Sequence, residues 1–401
     1  MNTYDLIVVG AGPVGLATAW YAARRGRSVL VLEQYDPTTD RGSSGGTERQ
    51  WRLQYAQEDL TRLTLEALPY WRELELAAGR RLIHATGSLW FGDIEQSTNE
   101  GQITGAAAVL DRVGIGYEWL TAREIEKRYG FAGLPSAYEG FYQGDGGMID
   151  VRGTRWSLYE QALARGAEIV SRQRVVELVP DDTGVTVRTG EGGYRAEKVV
   201  VAAGPFAGPL LAPLGVSLDV ELLEMTTCSF RLRDPGTDLP TWFAFERATE
   251  EDTNLFYGFG RNPWAADDVV RAGPDFEDRT LPGPYDAGYL PDARHLERVT
   301  RWVAEHLPIL VPEPVEPRTC LIALPHDPER QFYLGPVPGA ERIVVHSAGW
   351  GFKYVPLFGR ACADLALDAR TTFDLDRMRF AGPRATQTTE SAVPQTTKAE
   401  G

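Results

Sequence analysis

The chain has 401 residues, with 41 lysines and arginines against 56 aspartates and glutamates and a formal charge of −15 at pH 7. That length allows two domains and a large buried core, while the acidic balance argues against a nucleic-acid partner, whose phosphates would be repelled. No run approaches the ~20 apolar residues that span a bilayer.

The first apolar stretch, Leu6-Ile7-Val8-Val9, follows Asp5 and runs into Gly10-Ala11-Gly12-Pro13-Val14-Gly15. Its charge and glycines make it the first strand of the fold rather than a signal peptide. Residues 15–25 read as a helix ending near Gly26, and Ser28-Val29-Leu30-Val31-Leu32 as a second strand closed by Glu33, eighteen residues past Gly15. This is the layout of a βαβ unit that holds a dinucleotide. Gly10 allows the tight turn, Gly12 lets backbone approach a pyrophosphate, Gly15 lets helix pack on strand, and Glu33 faces a ribose. The helix N-terminus turns unpaired N–H groups and its positive dipole end toward the phosphates. A glycine-rich turn in an ordinary α/β fold is the bland alternative.

A loop rich in glycine and serine follows at 40–46, then Arg49, Arg52 and Tyr55 before a helical stretch at 60–68. A second loop at 144–150 leads into a helix at 152–165. Short strands at 174–179 and 184–188 flank a hairpin signal at Pro180-Asp181-Asp182. The strand 196–201 ends in Ala202-Ala203-Gly204-Pro205, small residues that let the chain pass close to a cofactor. From 219 to 322 the aromatic, proline-rich and alternating texture predicts a mostly antiparallel sheet, with one helix near 293–306. A strand at 342–346 ending at His346 then enters Ser347-Ala348-Gly349-Trp350-Gly351, followed by a helix to about 367. The tail after Pro383 lacks an apolar period and reads as disordered. The fold class expected is α/β (α+β): a discontinuous Rossmann-like dinucleotide domain at 1–85, 145–218 and 323–382, with an inserted, mainly antiparallel-sheet substrate domain at 86–144 and 219–322 and a disordered tail at 383–401.

The three cysteines, Cys228, Cys320 and Cys362, have no paired spacing, which argues against a disulfide framework or a zinc site. The histidines have no metal spacing either, and no metal is expected. A reduced, cytoplasmic setting fits.

These residues resemble the FAD-dependent amine oxidases of the monomeric sarcosine oxidase and N-methyltryptophan oxidase family. The resemblance covers nearly the whole chain except the tail. Its marks are the N-terminal glycine fingerprint, Gly146-Gly147, the Ala202-Ala203-Gly204-Pro205 strand end, Cys320, and Ala348-Gly349-Trp350-Gly351-Phe352-Lys353. Segments 48–55, 87–93, 252–260 and 327–332 are similar to a branch of the family that oxidises piperideine-2-carboxylate to picolinate in antibiotic biosynthesis.

The resemblance implies FAD as cofactor, held by Gly10, Gly12, Gly15, Glu33, Arg49, Val176, Gly204, Gly351 and Phe352, with Cys320 joined covalently to the flavin 8α-carbon. Read without the resemblance, Cys320 is a packed core thiol, as Cys228 and Cys362 are expected to be. Arg52 and Lys353 would hold a substrate carboxylate, the one bidentately and the other as a point charge. Lys353 opens a helix, where a cation opposes the dipole; a solvated surface charge is the alternative for both. Trp350 would lie beside the flavin against a flat substrate, or else pack in the core. Glu100, Tyr257 and Asp275 are the remaining polar candidates; a carboxylate in an apolar pocket has its pKa raised and exchanges protons with the substrate.

Sarcosine-type oxidases use a lysine to promote oxygen reduction, whereas the corresponding stretch here, Val269-Val270-Arg271-Ala272-Gly273, has only Arg271. The partners implied are a small cyclic imino acid and O2, the product side H2O2, and the state a monomer. Two other readings stay open: a one-round oxidase of a secondary amino acid such as sarcosine or pipecolate, and an electron-passing flavoprotein subunit that needs a partner.

Overall fold

The computed structural model describes residues 2–380, apart from 38, 99, 248–253, 266, 276–279, 328–330 and 377. The tail expected at 383–401 lies outside the described residues, as do 252–253 and 328–330 of the segments named above.

The first sheet grows around Thr3–Val9. It pairs in parallel with Val29–Leu32 on one side and Gly192–Val201 on the other, with Leu6 opposite Val29 and Lys198. Parallel pairing continues from Val29–Leu32 to Glu168–Val170 and from Val199–Val201 to Ile343–Val345. The unbroken Val/Leu/Ile runs are what a parallel sheet covered on both faces needs. Strand alternation splits them: Leu6, Val8 and Val31 enter one core, while Ile7, Val9 and Leu32 enter another. Helices Pro13–Arg24, Val151–Ala164 and Val355–Asp368 share the first core. Gly359 brings the first and last of these together, because a Cβ there would lie 2.3 Å from that of Ala17.

The second sheet runs Leu310–Pro325, Val220–Leu232, Val269–Pro274, Leu255–Gly258, Thr241–Phe245, Ser88–Gly92, Glu139–Gln143, Glu118–Thr121. Its neighbours are antiparallel except the central pair, where Thr241–Phe245 meets Ser88–Gly92 in parallel. Helix Ala293–His306 covers it, with Trp302 stacked on Trp242 at 4.9 Å. A third, small sheet joins Glu48–Trp51, Gly147–Asp150 and Ile83–His84. The fold is thus α/β, a discontinuous Rossmann-like layer carrying an inserted, mainly antiparallel sheet.

Four local expectations change. The helix expected at 60–68 runs Glu58–Ala78 and passes through Pro69. The carbonyl that Pro69 cannot bond belongs to Leu65, an exposed position. The loop expected at 144–150 is a strand from Gly147, because Met148 and Ile149 are fully buried and pair with Gln50 and Arg49. The hairpin turns at Asp182-Thr183, since Asp181 Oδ1 accepts from the N–H groups of Thr183 and Gly184. Lys353 sits in a 3-10 turn, Gly351–Tyr354, and the α-helix starts at Val355 with Pro356 in its first turn, so the cation stands before the dipole end rather than on it.

Candidate active site

One cavity enclosing about 2040 Å3, its open mouth included, is lined from all three sheets. Its lining takes in both the glycine turn at Gly10–Gly12 and the separate group around Arg52 and Lys353, which suits a dinucleotide together with a substrate. Arg49, Arg52, Arg155, Arg174, Arg271 and Lys353 line it against Glu33, Glu100 and Asp275. In a chain of net charge −15, this is a local excess of positive charge, and it favours anionic ligands.

At one end lies the glycine turn. Gly10 has φ +104°, and a Cβ there would meet the Ala202 carbonyl oxygen at 2.7 Å; a Cβ on Gly15 would lie 2.0 Å from the Gly10 oxygen. Gly12 differs: its nearest neighbour would be 3.9 Å away, so its missing side chain opens space toward the cavity rather than relieving a clash inside the protein. The helix that Gly12 caps has no side-chain cap and no acid in its first turn, leaving its first amides for a phosphate. Glu33 is fixed at the rim, its carboxylate accepting from Ala11 N at 2.7 Å and Tyr35 N at 2.9 Å. Gly204, at φ +55°, lines the wall, and its oxygen accepts from Ser347 Oγ at 2.9 Å.

The two arginines of strand Glu48–Trp51 and its continuation have separate fates. The Arg49 guanidinium donates to Ser43 O at 2.7 Å, Gly45 O at 2.8 Å and Glu48 O at 2.8 Å. It pins the 40–46 loop and lies over Phe352, 6.0 Å from the ring centre. Arg52 instead stands among the rings of Tyr55, Phe243 and Trp90, at 4.6, 5.1 and 5.4 Å. It pairs with Glu100 and is 3% exposed. Burial opposes its charge, but Glu100 and Tyr55 more than compensate and raise its pKa. Rings hold this guanidinium without consuming its N–H donors, so those not given to Glu100 remain for a ligand.

Lys353, also buried, lines the same region; burial lowers its pKa, opposed by Tyr55. Tyr257 is buried on its strand, and burial pushes its phenol well up, so it stays protonated. Asp275 is buried on the wall, its backbone N–H donating to Leu255 O at 2.6 Å. Trp350 and Gly351 reach the cavity on a turn in which Ala348 and Gly349 have φ +70° and +74°. A Cβ on Gly349 would lie 1.9 Å from Gln331 O. Phe352 is buried beneath, stacked on Trp71.

Cys320 lies half-buried on the cavity wall. Burial pushes its thiol up, and the guanidiniums of Arg49 and Arg271 pull it back. Cys228 and Cys362 are buried away from the cavity, and burial pushes both to about 12. Arg271 lines the cavity, but its Nε lies 2.6 Å from Glu48 Oε1 in a bent ion pair, and its Nη2 donates to Glu48 O at 2.8 Å.

Of the residues singled out from sequence, the structure brings all to the cavity but two. Gly15 acts one layer behind, and Val176 is 51% exposed with its side chain off the wall, which Arg174 and Val175 line instead. Strand alternation turns Val176 outward. Sequence reasoning missed Arg155, whose Nη2 braces Pro37 O and Thr39 O at 2.6 and 2.8 Å, and His346, which burial lowers to about 4. It also missed the role of Tyr55 as a ring beside both cations. The Arg52-x-x-Tyr55 spacing was visible, but no local pattern marks a helix arginine or a strand-end histidine as facing a cavity. Among the described residues no group of His, Cys, Asp and Glu could hold a metal.

A parallel βαβ unit with a dinucleotide turn, facing a cationic cavity beneath an antiparallel sheet, fits a dinucleotide-dependent oxidoreductase. The model of the family described as FAD dependent oxidoreductase matches residues 5–365, and the chain belongs to that family. It is 29% identical to human peroxisomal sarcosine oxidase over 94% of this chain and 96% of that protein. It is 32% identical to a putative bifunctional amine oxidase of Dictyostelium discoideum over 94% of this chain, spanning only 37% of that longer protein. Among solved structures it is similar to NikD, an unusual amino acid oxidase essential for nikkomycin biosynthesis, in its open form: 54% identity, TM-score 0.92, covering 94% of this chain and 98% of that one.

Proposed function

We propose that the protein is an FAD-dependent oxidase of a cyclic imino acid, piperideine-2-carboxylate, and that it yields picolinate in two rounds of two-electron oxidation. Four hydrogens leave the ring, and two O2 become two H2O2. The observation that carries this reading is the convergence of Arg52, Lys353, Tyr257 and Trp350 on one cavity that Cys320 also lines. Two cations and flat aromatic surfaces suit a planar ring bearing one carboxylate. The 54% identity to NikD supports the amino acid oxidase class.

The chain's residues fit FAD. Gly10, Gly12 and the following amides would hold the pyrophosphate, Glu33 the ribose, and Cys320 would be the covalent attachment point, its thiolate favoured by Arg49 and Arg271. FAD, when bound, supplies the two-electron acceptor. Arg52 would take the substrate carboxylate bidentately and Lys353 would complete its neutralisation. Trp350 and Tyr257 would fix the ring plane and exclude water, and Tyr257, held protonated, would donate a hydrogen bond. Glu100 and Asp275 are the groups placed to accept a ring proton. Arg271 is the positive group nearest in role to the absent oxygen-promoting lysine.

The same reading assigns cofactor binding to 1–85, 145–218 and 323–382 and substrate binding to 86–144 and 219–322. It also takes the enzyme as a cytoplasmic monomer; among the described residues no helix is long and apolar enough to cross a membrane.

The test is oxygen consumed per picolinate formed with the purified chain. About two O2 per picolinate is expected, since each flavin turnover carries two electrons. Uptake without picolinate would move the substrate to a secondary amino acid oxidised once. No uptake by flavin-loaded protein would instead favour a partner-dependent subunit. Denaturation is the second check: flavin that stays with the polypeptide in wild type and separates in Cys320→Ser establishes the link.

A further inference from the structure

Arg52 and Lys353 come from distant parts of the chain and meet at one ring, Tyr55. The centre of that ring lies 4.6 Å from Arg52 Cζ and 5.8 Å from Lys353 Nζ. Tyr55 is 4% exposed, and its hydroxyl makes no aligned hydrogen bond. It does not line the cavity; the two cations it touches do.

Two like charges brought together out of water repel each other, and each loses hydration. Glu100 offsets this for Arg52. For Lys353, Tyr55 is the aromatic face that its ammonium meets among the described residues. An aromatic face attracts cations through its quadrupole, and more strongly when they are desolvated. The mutual effect runs both ways. Burial pushes the Tyr55 phenol up, yet Lys353 and Arg52 together bring it below its ordinary value, and Tyr55 in turn works against the burial that lowers Lys353. Arg52 has two further rings, Phe243 and Trp90, so removing Tyr55 leaves it partly held and leaves Lys353 without a platform.

We propose that Tyr55 is a positioning residue that holds Arg52 and Lys353 together as a single carboxylate clamp, and thereby sets the preference for anionic over neutral ring ligands. The proposal rests on the reading that these two cations bind the substrate carboxylate.

The experiment is calorimetric titration of the flavin-loaded protein with picolinate and with picolinamide, its neutral counterpart of nearly the same shape. Wild type is expected to prefer picolinate, and Arg52→Met and Lys353→Met to lose that preference. Tyr55→Leu is expected to raise the Kd for picolinate about tenfold while that for picolinamide moves less than about twofold, a change within the range of a buried cation–ring contact. Tyr55→Phe, which restores the ring, is expected to recover most of the affinity. Equal weakening of both ligands by Tyr55→Leu, or no weakening, overturns the positioning role while the carboxylate reading stands. A preference that is absent in wild type, or that survives both Arg52→Met and Lys353→Met, overturns that reading instead. Should Tyr55→Leu fail to fold, as judged by flavin content and near-UV circular dichroism, Tyr55→Met takes its place under the same criteria.

Discussion

The two ends of the cavity are built on opposite principles. At the glycine turn the chain withdraws its side chains: Gly10, Gly12 and Ala202 present backbone, and recognition comes from amides and a helix end. At the far end the backbone retreats, and long side chains from separate elements converge: Arg52, Glu100, Tyr257 and Lys353. The first end depends on main-chain geometry and tolerates little change of shape. The second depends on charge held in a dry aromatic setting, where one substitution removes function while the fold survives.

The sharpest break of that comparison is Arg52→Met. Losing the guanidinium that would pair with the substrate carboxylate costs about 2–5 kcal/mol of binding, so KM for a carboxylate substrate should rise roughly 10²-fold or more, measured by steady-state oxygen uptake. Arg49→Met, whose donors serve loop carbonyls, should instead reduce flavin content with a much smaller change in KM.

Next in size is the effect of pH through His346, which lines the cavity. Burial lowers its pKa from the ordinary 6.5 to about 4. The unfolded imidazole gains a proton near 6.5 and the folded one only near 4, so between these values the unfolded state binds more protons. Stability should therefore fall as pH drops from about 6.5 to about 4, by roughly 3 kcal/mol. The difference between wild type and His346→Asn in urea unfolding of the flavin-free chain at pH 7 and pH 4.5 isolates this contribution.

Two glycines sharpen the contrast further. Gly15→Ala places a Cβ 2.0 Å from the Gly10 oxygen and should cost about 1–3 kcal/mol, seen as a lower melting temperature without flavin. Gly12→Ala, with 3.9 Å of room, should change that melt by less than about 0.5 kcal/mol while weakening flavin retention. Equal losses in both would mean that Gly12 serves packing rather than the ligand.

The first end was legible because its signal is contiguous: strand, glycine spacing, helix and Glu33 all fall within thirty residues. Period-2 and Val/Ile/Leu texture likewise placed the sheets. The far end was legible only through resemblance, since nothing local ties residues 52, 100, 257 and 353 to one place. Failures followed the same line. Val176 was assigned through the resemblance, but alternation puts its neighbour Val175 on the wall. The split between Arg49 and Arg52, three positions apart, depends on loop carbonyls and rings that only the folded chain supplies. The helix expected at 60–68 runs on past Pro69 because buried Trp71 and Leu74 hold the later turns in place.

The parallel pairing of Gly192–Val201 with Ala340–Ser347 bears on how the enzyme is made. The glycine turn leaves the ribosome early, but the strand that pairs with Gly192–Val201 and the 346–355 part of the cavity wall come some three hundred residues later. At ~5–20 residues per second that is a delay of roughly 15–60 s. Throughout it, Gly192–Val201 lacks its last parallel neighbour and keeps an apolar edge, the condition under which long-range sheets fold slowly and aggregate. Cofactor capture therefore belongs to the completed polypeptide, and flavin supply and chaperone access at that moment set the yield of active enzyme.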